Sequence, residues 1–356
     1  MAMKKLNEKE WEEFTLEDIF SVGAGKRLTN ADKIDGDRPF IGATDNNNGV
    51  TGFVGNDNAS LDENVLGVNY NGAPCIAFYH PYKCLFTDDV KRLHLQNHAD
   101  DEHVLLFMKD IVMQQRAKYS YGYKFKEKRM LRQKLMLPVD NDGKPDYGYM
   151  VQYASEMRGG MLMRYKNYVA GQLSQLEYKD IPALDEKEWK EFRIGELFEV
   201  SRPKARNKDD YDMGDVPFVA SGAMNNGVMK CCKTREGEQL DAGNCITVSP
   251  VDGSSFYQPM DFLGRGGAGS SILMLRNNGL NLFRGEFMAR MIQQTCSKYN
   301  YGHMGNKDSI KRECVMLPVD DDGKPDYTYM EQYVKNMMLR KYEQYLAFLS
   351  GKEEKA

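Results

Sequence analysis

Long cations interleaved with aromatic rings are the densest chemical signal in this sequence. Between Arg116 and Lys134 eight basic residues (Arg116, Lys118, Lys124, Lys126, Lys128, Arg129, Arg132, Lys134) face a single acid, Glu127, for a local charge of +7. Tyr119, Tyr121, Tyr123 and Phe125 alternate with them. Lys and Arg neutralise phosphates and release counterions, while aromatic and amide groups reach bases, so this composition suits a nucleic-acid duplex. A weaker counterpart holds Tyr301, His303, Lys307 and Lys311, and a second cluster packs Arg202, Lys204, Arg206 and Lys208 into seven residues. Lys26, Arg27 and Arg265 add isolated cations. Asn46, Asn47, Asn69, Asn71, Asn225 and Asn226 supply amides of the kind that read adenine. Each patch alone is equally a solvated basic face; their recurrence at related positions favours DNA.

Covalent chemistry finds little support. Gly264-Arg265-Gly266-Gly267-Ala268-Gly269 fits GxGxxG, but Ser-Ser-Ile-Leu-Met-Leu follows and reads as a strand. A dinucleotide site needs a helix N-terminus there. Gly25-Lys26-Arg27 lacks the upstream Gly and the Ser/Thr of a phosphate-binding loop. Pro145-Asp146 with Glu177-Tyr178-Lys179 mimics a nuclease pattern, yet a helix between them would hold the two acids on the order of 45 Å apart, too far for one metal. His94, His98 and His103 beside Asp100, Asp101 and Glu102 match no standard metal spacing and read as a solvated polar segment. No Pro-Pro occurs, so the grip an amino-methyltransferase needs on its base is absent. The expectation is a chain that carries no catalytic residues, no metal and no cofactor.

Two copies of one unit position these groups. Glu10-Trp11-Glu12-Glu13-Phe14 returns as Glu188-Trp189-Lys190-Glu191-Phe192 at an offset of 178, and Asn47-Asn48-Gly49-Val50 as Asn225-Asn226-Gly227-Val228. Lys118-Tyr119 and Met136-Leu137-Pro138-Val139-Asp140 return at 180. From Leu137 to Tyr153, 14 of 17 positions match Leu317 to Tyr333, whereas residues 51–115 scarcely align with their counterparts. A shared frame around divergent interiors suits two reading heads of different specificity. Runs such as Pro39-Phe40-Ile41, Val65-Leu66-Gly67-Val68 and Cys245-Ile246-Thr247-Val248, set between Gly, Asn and Asp, predict strands. After each Gly-Lys-Pro-Asp-Tyr turn the apolar period becomes helical. The spacing predicts a helix over 151–179, kinked or broken at Gly159-Gly160, and a second helix through the C-terminal segment.

The fold class is therefore α/β: two tandem domains, 1–145 and 183–325, each followed by a helical segment, 146–182 and 326–356. Met150, Tyr153, Met157, Met330, Tyr333 and Met337 are the expected core of an antiparallel, pseudo-twofold helix pair; the alternative is that each helix packs on its own domain. With 41% hydrophobic residues the chain is globular, and no apolar run approaches the roughly 18 residues of a membrane span. Seven cysteines without a CxxC pair, and no signal peptide, point to the cytoplasm. Lys plus Arg number 48 against 52 Asp plus Glu, a net −4 that argues weakly against DNA until the local clusters are considered.

The ordered set Trp11…Leu16-Glu17-Asp18-Ile19-Phe20…Gly25-Lys26, Pro39-Phe40-Ile41…Asn-Gly, Tyr121-Gly122…Leu131…Leu135-Met136-Leu137-Pro138 and a long helix, occurring twice, resembles the specificity subunit of a type I or type IIB restriction–modification system. The resemblance implies a non-catalytic subunit whose two target recognition domains each read half of a bipartite double-stranded DNA site. It further implies a helix-pair spacer that docks methyltransferase (modification) and restriction subunits, with S-adenosylmethionine and Mg2+ bound by those partners. Asp-Gly-Lys-Pro-Asp-Tyr replaces the family's Pro-rich, Glu-Gln-containing spacer entry, and the chain is shorter than most type I subunits, both of which favour a compact type IIB-like or otherwise variant system. The rival class is an interaction scaffold whose heads bind something other than DNA, such as glycans.

Overall fold

The computed structural model describes residues 3–119, 123–267 and 271–353. The chain divides into two compact units between Tyr165 and Lys166.

The first unit contains strands β1 (Trp11–Thr15), β2 (Phe20–Ala24), β3 (Arg38–Ile41), β4 (Val50–Val54), β5 (Val65–Asn69), β6 (Ala77–His80), β7 (Leu85–Phe86), β8 (Val90–Leu95) and β9 (Lys134–Pro138). Its helices are α1 (Leu16–Ile19), α2 (Glu102–Met113), α3 (Glu127–Leu131) and α4 (Tyr147–Leu173), which runs on past the division. β1 and β9 pair antiparallel, Trp11 opposite Pro138. A four-stranded sheet has the order β2-β8-β5-β6 and a three-stranded one β4-β3-β7, in which β3 and β7 are parallel. The second unit repeats this with β10 (Trp189–Arg193), α5 (Ile194–Leu197), β11 (Glu199–Ser201), β12 (Met213–Val219), β13 (Val228–Cys232), β14 (Cys245–Val248), β15 (Ser255–Gln258), β16 (Leu263–Gly264) and β17 (Leu273–Arg276). α6 (Leu282–Cys296), α7 (Lys307–Arg312), β18 (Cys314–Pro318) and α8 (Tyr327–Glu353) complete it. The sheet orders are β10-β18, β11-β17-β14-β15 and β13-β12-β16, again with one parallel pair. The divergent interiors thus share one topology, although element lengths differ: β12 has seven residues against four for β3, and α6 fifteen against twelve for α2.

The near-identical frame fastens each long helix to its head. The Trp11 indole donates to Leu6 O at 2.9 Å and stacks on Phe107 of α2 with centroids 6.3 Å apart; Phe107 meets Tyr153 of α4 edge-on at 5.7 Å. Trp189, Phe287 and Tyr333 repeat this at 6.3 and 5.7 Å. Asp146 caps α4 by accepting from Tyr149 N and pairs with Lys9 at 2.6 Å; Asp326 does the same with Tyr329 N and Lys187. Burial favours the neutral acid, yet the Lys9 ammonium and the Tyr149 N–H hold the Asp146 carboxyl below the usual carboxylate range. Each Gly-Lys-Pro-Asp turn is thus a helix-start device.

Two helix expectations need correction. Met150 and Met330 are fully buried in the cores of their own units, with Tyr153 and Tyr333 against the same cores, so these four anchor helix to head rather than helix to helix. Burying such a side chain contributes about 1.5–3 kcal/mol, and α2 and α6 offer the nearest apolar faces. Met157 and Met337 remain about half exposed. α4 also runs unbroken through Gly159-Gly160, because twelve helical residues precede the pair and thirteen follow it. The segment after α4 lies along α8: Gln332 donates to Glu177 O, Asn336 holds both the N–H and C=O of Lys179, and the Tyr329 hydroxyl donates to Pro182 O. The rings of Tyr168 and Tyr342 meet edge-on at 6.5 Å.

Candidate nucleic-acid interface

The basic segment of the first unit is built on two buried anchors. Phe125 and Met130 are fully buried, which pins the strand-like approach to α3 and α3 itself, while the residues between them face outward. Tyr119 donates to Gln133 Oε1 at 2.6 Å, and burial pushes its phenol up to about 12. Tyr123 stacks on Tyr119 with centroids 5.8 Å apart, and the Arg129 guanidinium lies 3.9 Å from the centre of the Tyr123 ring. Arg129 also donates to Lys124 O. The result is a concavity of about 520 Å³ bordered by Lys118, Lys128, Arg129, Arg132 and Lys134 around the two tyrosines. Lys134 is paired with Glu13, and Glu127 with Lys91, so part of the local charge is compensated. Lys126, Lys128, Arg129 and Arg132 are exposed.

Other expected groups gather less evenly. Arg116 pairs with Asp45 at 3.8 Å, which ties the basic segment to the exposed Asn46-Asn47-Asn48 turn. Asn47 and Asn48 occupy the left-handed region at φ 50° and 52°, as do Asn225 and Asn226 at 50° and 57°. Asn is among the few residues that adopt it at low cost. Lys26 and Arg27 are exposed beside the end of β7, where Lys26 N–H donates to Phe86 O. In the second unit Lys208, Arg265 and Tyr301, from three separate loops, border one concavity of about 260 Å³. Tyr301 is 80% exposed. Arg202, Lys204, His303 and Lys307 are exposed, His303 stacked on Tyr299, whereas Lys311 is half-buried against Gly195. Tyr121 lies outside the described residues.

Three expected contacts are instead structural. Asn69 is buried and donates to Thr44 O at 2.9 Å; Asn71 donates to Asp89 at 2.8 Å. The Arg206 side chain is 4% exposed and bonds Glu238, Asp241 and the carbonyls of Gln239 and Gly264. A buried charge of this kind needs its partners inside the fold, so Arg206 braces the loop that presents Lys208. The histidine segment follows the same logic. His94 sits between Asp62 (3.1 Å) and Asp100 (2.7 Å); burial favours its neutral ring, but those hydrogen bonds outweigh it and raise its pKa above the ordinary value. Among the described residues no group of three or more His, Cys, Asp or Glu side chains is placed to hold a metal ion. Leu273–Arg276 forms strand β17 after the glycine run, as the sequence suggested, and not the helix of a dinucleotide site. Sequence reasoning passed over Met229, an exposed apolar residue at the second concavity, because nothing in a strand's alternation distinguishes it.

A duplicated α/β head, each fastened by the same Trp–Phe–Tyr contacts to a long helix, agrees with a family match. The model of the type I restriction modification DNA specificity domain matches residues 8–158 and again residues 186–345. The chain belongs to this family. Specificity subunits are non-catalytic components of restriction–modification systems. A curated relative, the specificity subunit S.BcgI of a type II restriction enzyme from Heyndrickxia coagulans, is 50% identical over 175 residues, which cover 49% of this chain and 49% of that protein. The match thus spans about half the length of the relative. Solved structures resemble this specificity-family chain loosely. The type I S subunit from M. genitalium aligns over 99% of this chain and 96% of its own at 12% identity with a TM-score of 0.47. The HsdS subunit from Thermoanaerobacter tengcongensis aligns over 96% and 91% at 12% identity with a TM-score of 0.31. Among the described residues no helix is long and apolar enough to cross a membrane.

Proposed function

We propose that the chain is the DNA-recognition subunit of a cytoplasmic restriction–modification enzyme, each head reading one half of a bipartite duplex site. The basic aromatic concavity of the first unit carries this reading. Lys128, Arg132 and Lys118 supply phosphate neutralisation, and Arg129, pre-oriented on Tyr123, supplies a donor fork that loses little freedom on binding. The exposed Asn47-Asn48 and Asn225-Asn226 turns offer amides to base edges.

α4 and α8 serve as an antiparallel spacer pair that docks methyltransferase and restriction subunits. Each has 27 residues, about 40 Å at 1.5 Å per residue, or about 12 base pairs at 3.4 Å. The Tyr168–Tyr342 contact supports helix pairing, and the exposed Met157, Met161, Met163, Met337 and Phe348 leave apolar surface for docking. S-adenosylmethionine and Mg2+ chemistry belongs to the partners, and the likeness to the specificity subunit of a type II restriction enzyme favours a type II over a type I assembly.

Selection from random duplexes by the chain with its methyltransferase subunit tests the reading. A bipartite consensus supports it; retention of DNA without sequence preference overturns it. Lys128→Ala should weaken all duplexes alike and reduce the slope of log K against log salt by about one; an unchanged slope removes this concavity from the interface.

A further inference from the structure

The two basic segments keep one local architecture and differ in one carboxyl group. Tyr299 carries the His303 ring at 5.7 Å as Tyr119 carries Tyr123 at 5.8 Å. In each head the tyrosine hydroxyl donates to the residue just before the last strand, Gln133 Oε1 at 2.6 Å in the first and Glu313 Oε1 at 2.5 Å in the second. An amide and a carboxylate of the same shape thus take one place. The consequence falls on the lysine before the tyrosine. Lys298 pairs with the second oxygen of Glu313 at 2.6 Å, whereas Lys118 donates to the neutral side chain of Gln115 at 2.8 Å. Exposed ion pairs are usually worth little, because two long side chains must be ordered to make one. Glu313 is ordered beforehand: its side chain is 14% exposed, Tyr299 holds one oxygen, and its backbone N–H donates to Ile310 O at the end of α7. The surrounding segment is also poorer in positive charge. Residues 298–314 hold four Lys and Arg against two acids, residues 118–134 seven against one, and Asp308 and Ser309 stand where the first head has Lys128 and Arg129.

We propose that Glu313 is a counter-charge that withholds Lys298 from DNA phosphates, so that of the two segments the first supplies the larger share of the phosphate grip. The inference rests on the DNA-recognition reading above. To contact a phosphate, Lys298 must leave Glu313, and the carboxylate then faces the duplex polyanion unpaired. The exchange neutralises no net phosphate charge and releases no counterion. Phosphate contacts carry no sequence information, so Glu313 loosens the hold of the second head without altering what it reads.

The test uses the full chain with its methyltransferase subunit, the duplex it selects from a random pool and a scrambled duplex of the same length. Glu313→Gln should bind both duplexes more tightly and steepen the slope of log K against log salt by about one, so that its advantage over the parent shrinks about 3.5-fold between about 50 and 200 mM salt. The ratio between the two duplexes should stay as in the parent. Gln133 already accepts the Tyr119 hydroxyl at this place in the first head, so the substitution keeps an acceptor for Tyr299. Adding Lys298→Ala should return both affinity and slope to the parental values, because a neutral pair and an absent pair present the same charge. An unchanged slope in Glu313→Gln, or a gain that survives Lys298→Ala, overturns the inference while leaving sequence-specific binding intact. Failure of the selection to yield any preferred duplex defeats the DNA-recognition reading itself, and this inference with it.

Discussion

Arg206 and Lys208 stand two residues apart in a run of four cations and do opposite work. Arg206 is enclosed by Glu238 and Asp241, which lie 32 and 35 residues further along the chain, while Lys208 borders the open concavity. Arg206→Ala leaves two carboxylates without their counter-charge and should destabilise the second unit by roughly 3–5 kcal/mol in chemical denaturation; a loss of affinity with unchanged stability would instead return Arg206 to the interface. Counting charges along the sequence could locate the cluster but not choose between its members, because the choice is made by partners brought near through sheet pairing. Asn69 is fixed in the same way, its acceptor being the carbonyl of Thr44, 25 residues away. His94 yields a pH test. Its folded pKa lies above the ordinary 6.5, so its bonds to Asp62 and Asp100 contribute fully at pH below that value and fade as pH rises through the folded pKa. The stability difference between the wild type and His94→Gln should therefore shrink from pH 5.5 toward alkaline pH, by about the same course on repeated titrations; a difference independent of pH would mean that the ring acts by packing alone.

At the scale of elements, the Asn-Asn-Gly turns show what was legible and why. Asn-Asn-Gly between two apolar runs announces a tight reversal, and both turns hold consecutive residues in the left-handed region. Residues with an ordinary Cβ lose about 1–2 kcal/mol there. Asn226→Ala should therefore lower stability by about 1 kcal/mol and Asn226→Gly should not, with thermal melts as the readout; equal effects would mean that the side chain's bond to Tyr257 O at 3.5 Å dominates over the backbone. The matched topology of the two interiors was hidden by their poor alignment, because pairing order depends on which faces are apolar and tolerates nearly any residue on the outer face. The unbroken helix through Gly159-Gly160 runs against local propensity. Each glycine costs about 1 kcal/mol against alanine, a local penalty that the long helical segments on either side outweigh.

For the whole molecule, duplication separates what must be kept from what can vary. The Trp11–Phe107–Tyr153 and Trp189–Phe287–Tyr333 contacts are nearly superimposable in their distances, whereas the residues above the sheets differ. Exchanging residues 199–312 for the same segment of another family member should change one half of the selected DNA site and leave the other intact; a change in both halves would show that the heads do not read independently. The net charge of −4 is then a sum of acidic frames and basic concavities rather than a statement about partners.

The segment that lies along α8 carries a thermodynamic consequence. Glu177, Lys179 and Pro182 are each held through their backbone by Gln332, Asn336 and Tyr329. Fixing a residue's backbone costs about 1–2 kcal/mol of conformational entropy, and here that loss occurs when the protein folds. Whatever the second head binds, the backbone ordering of these three residues is charged to folding and not to binding.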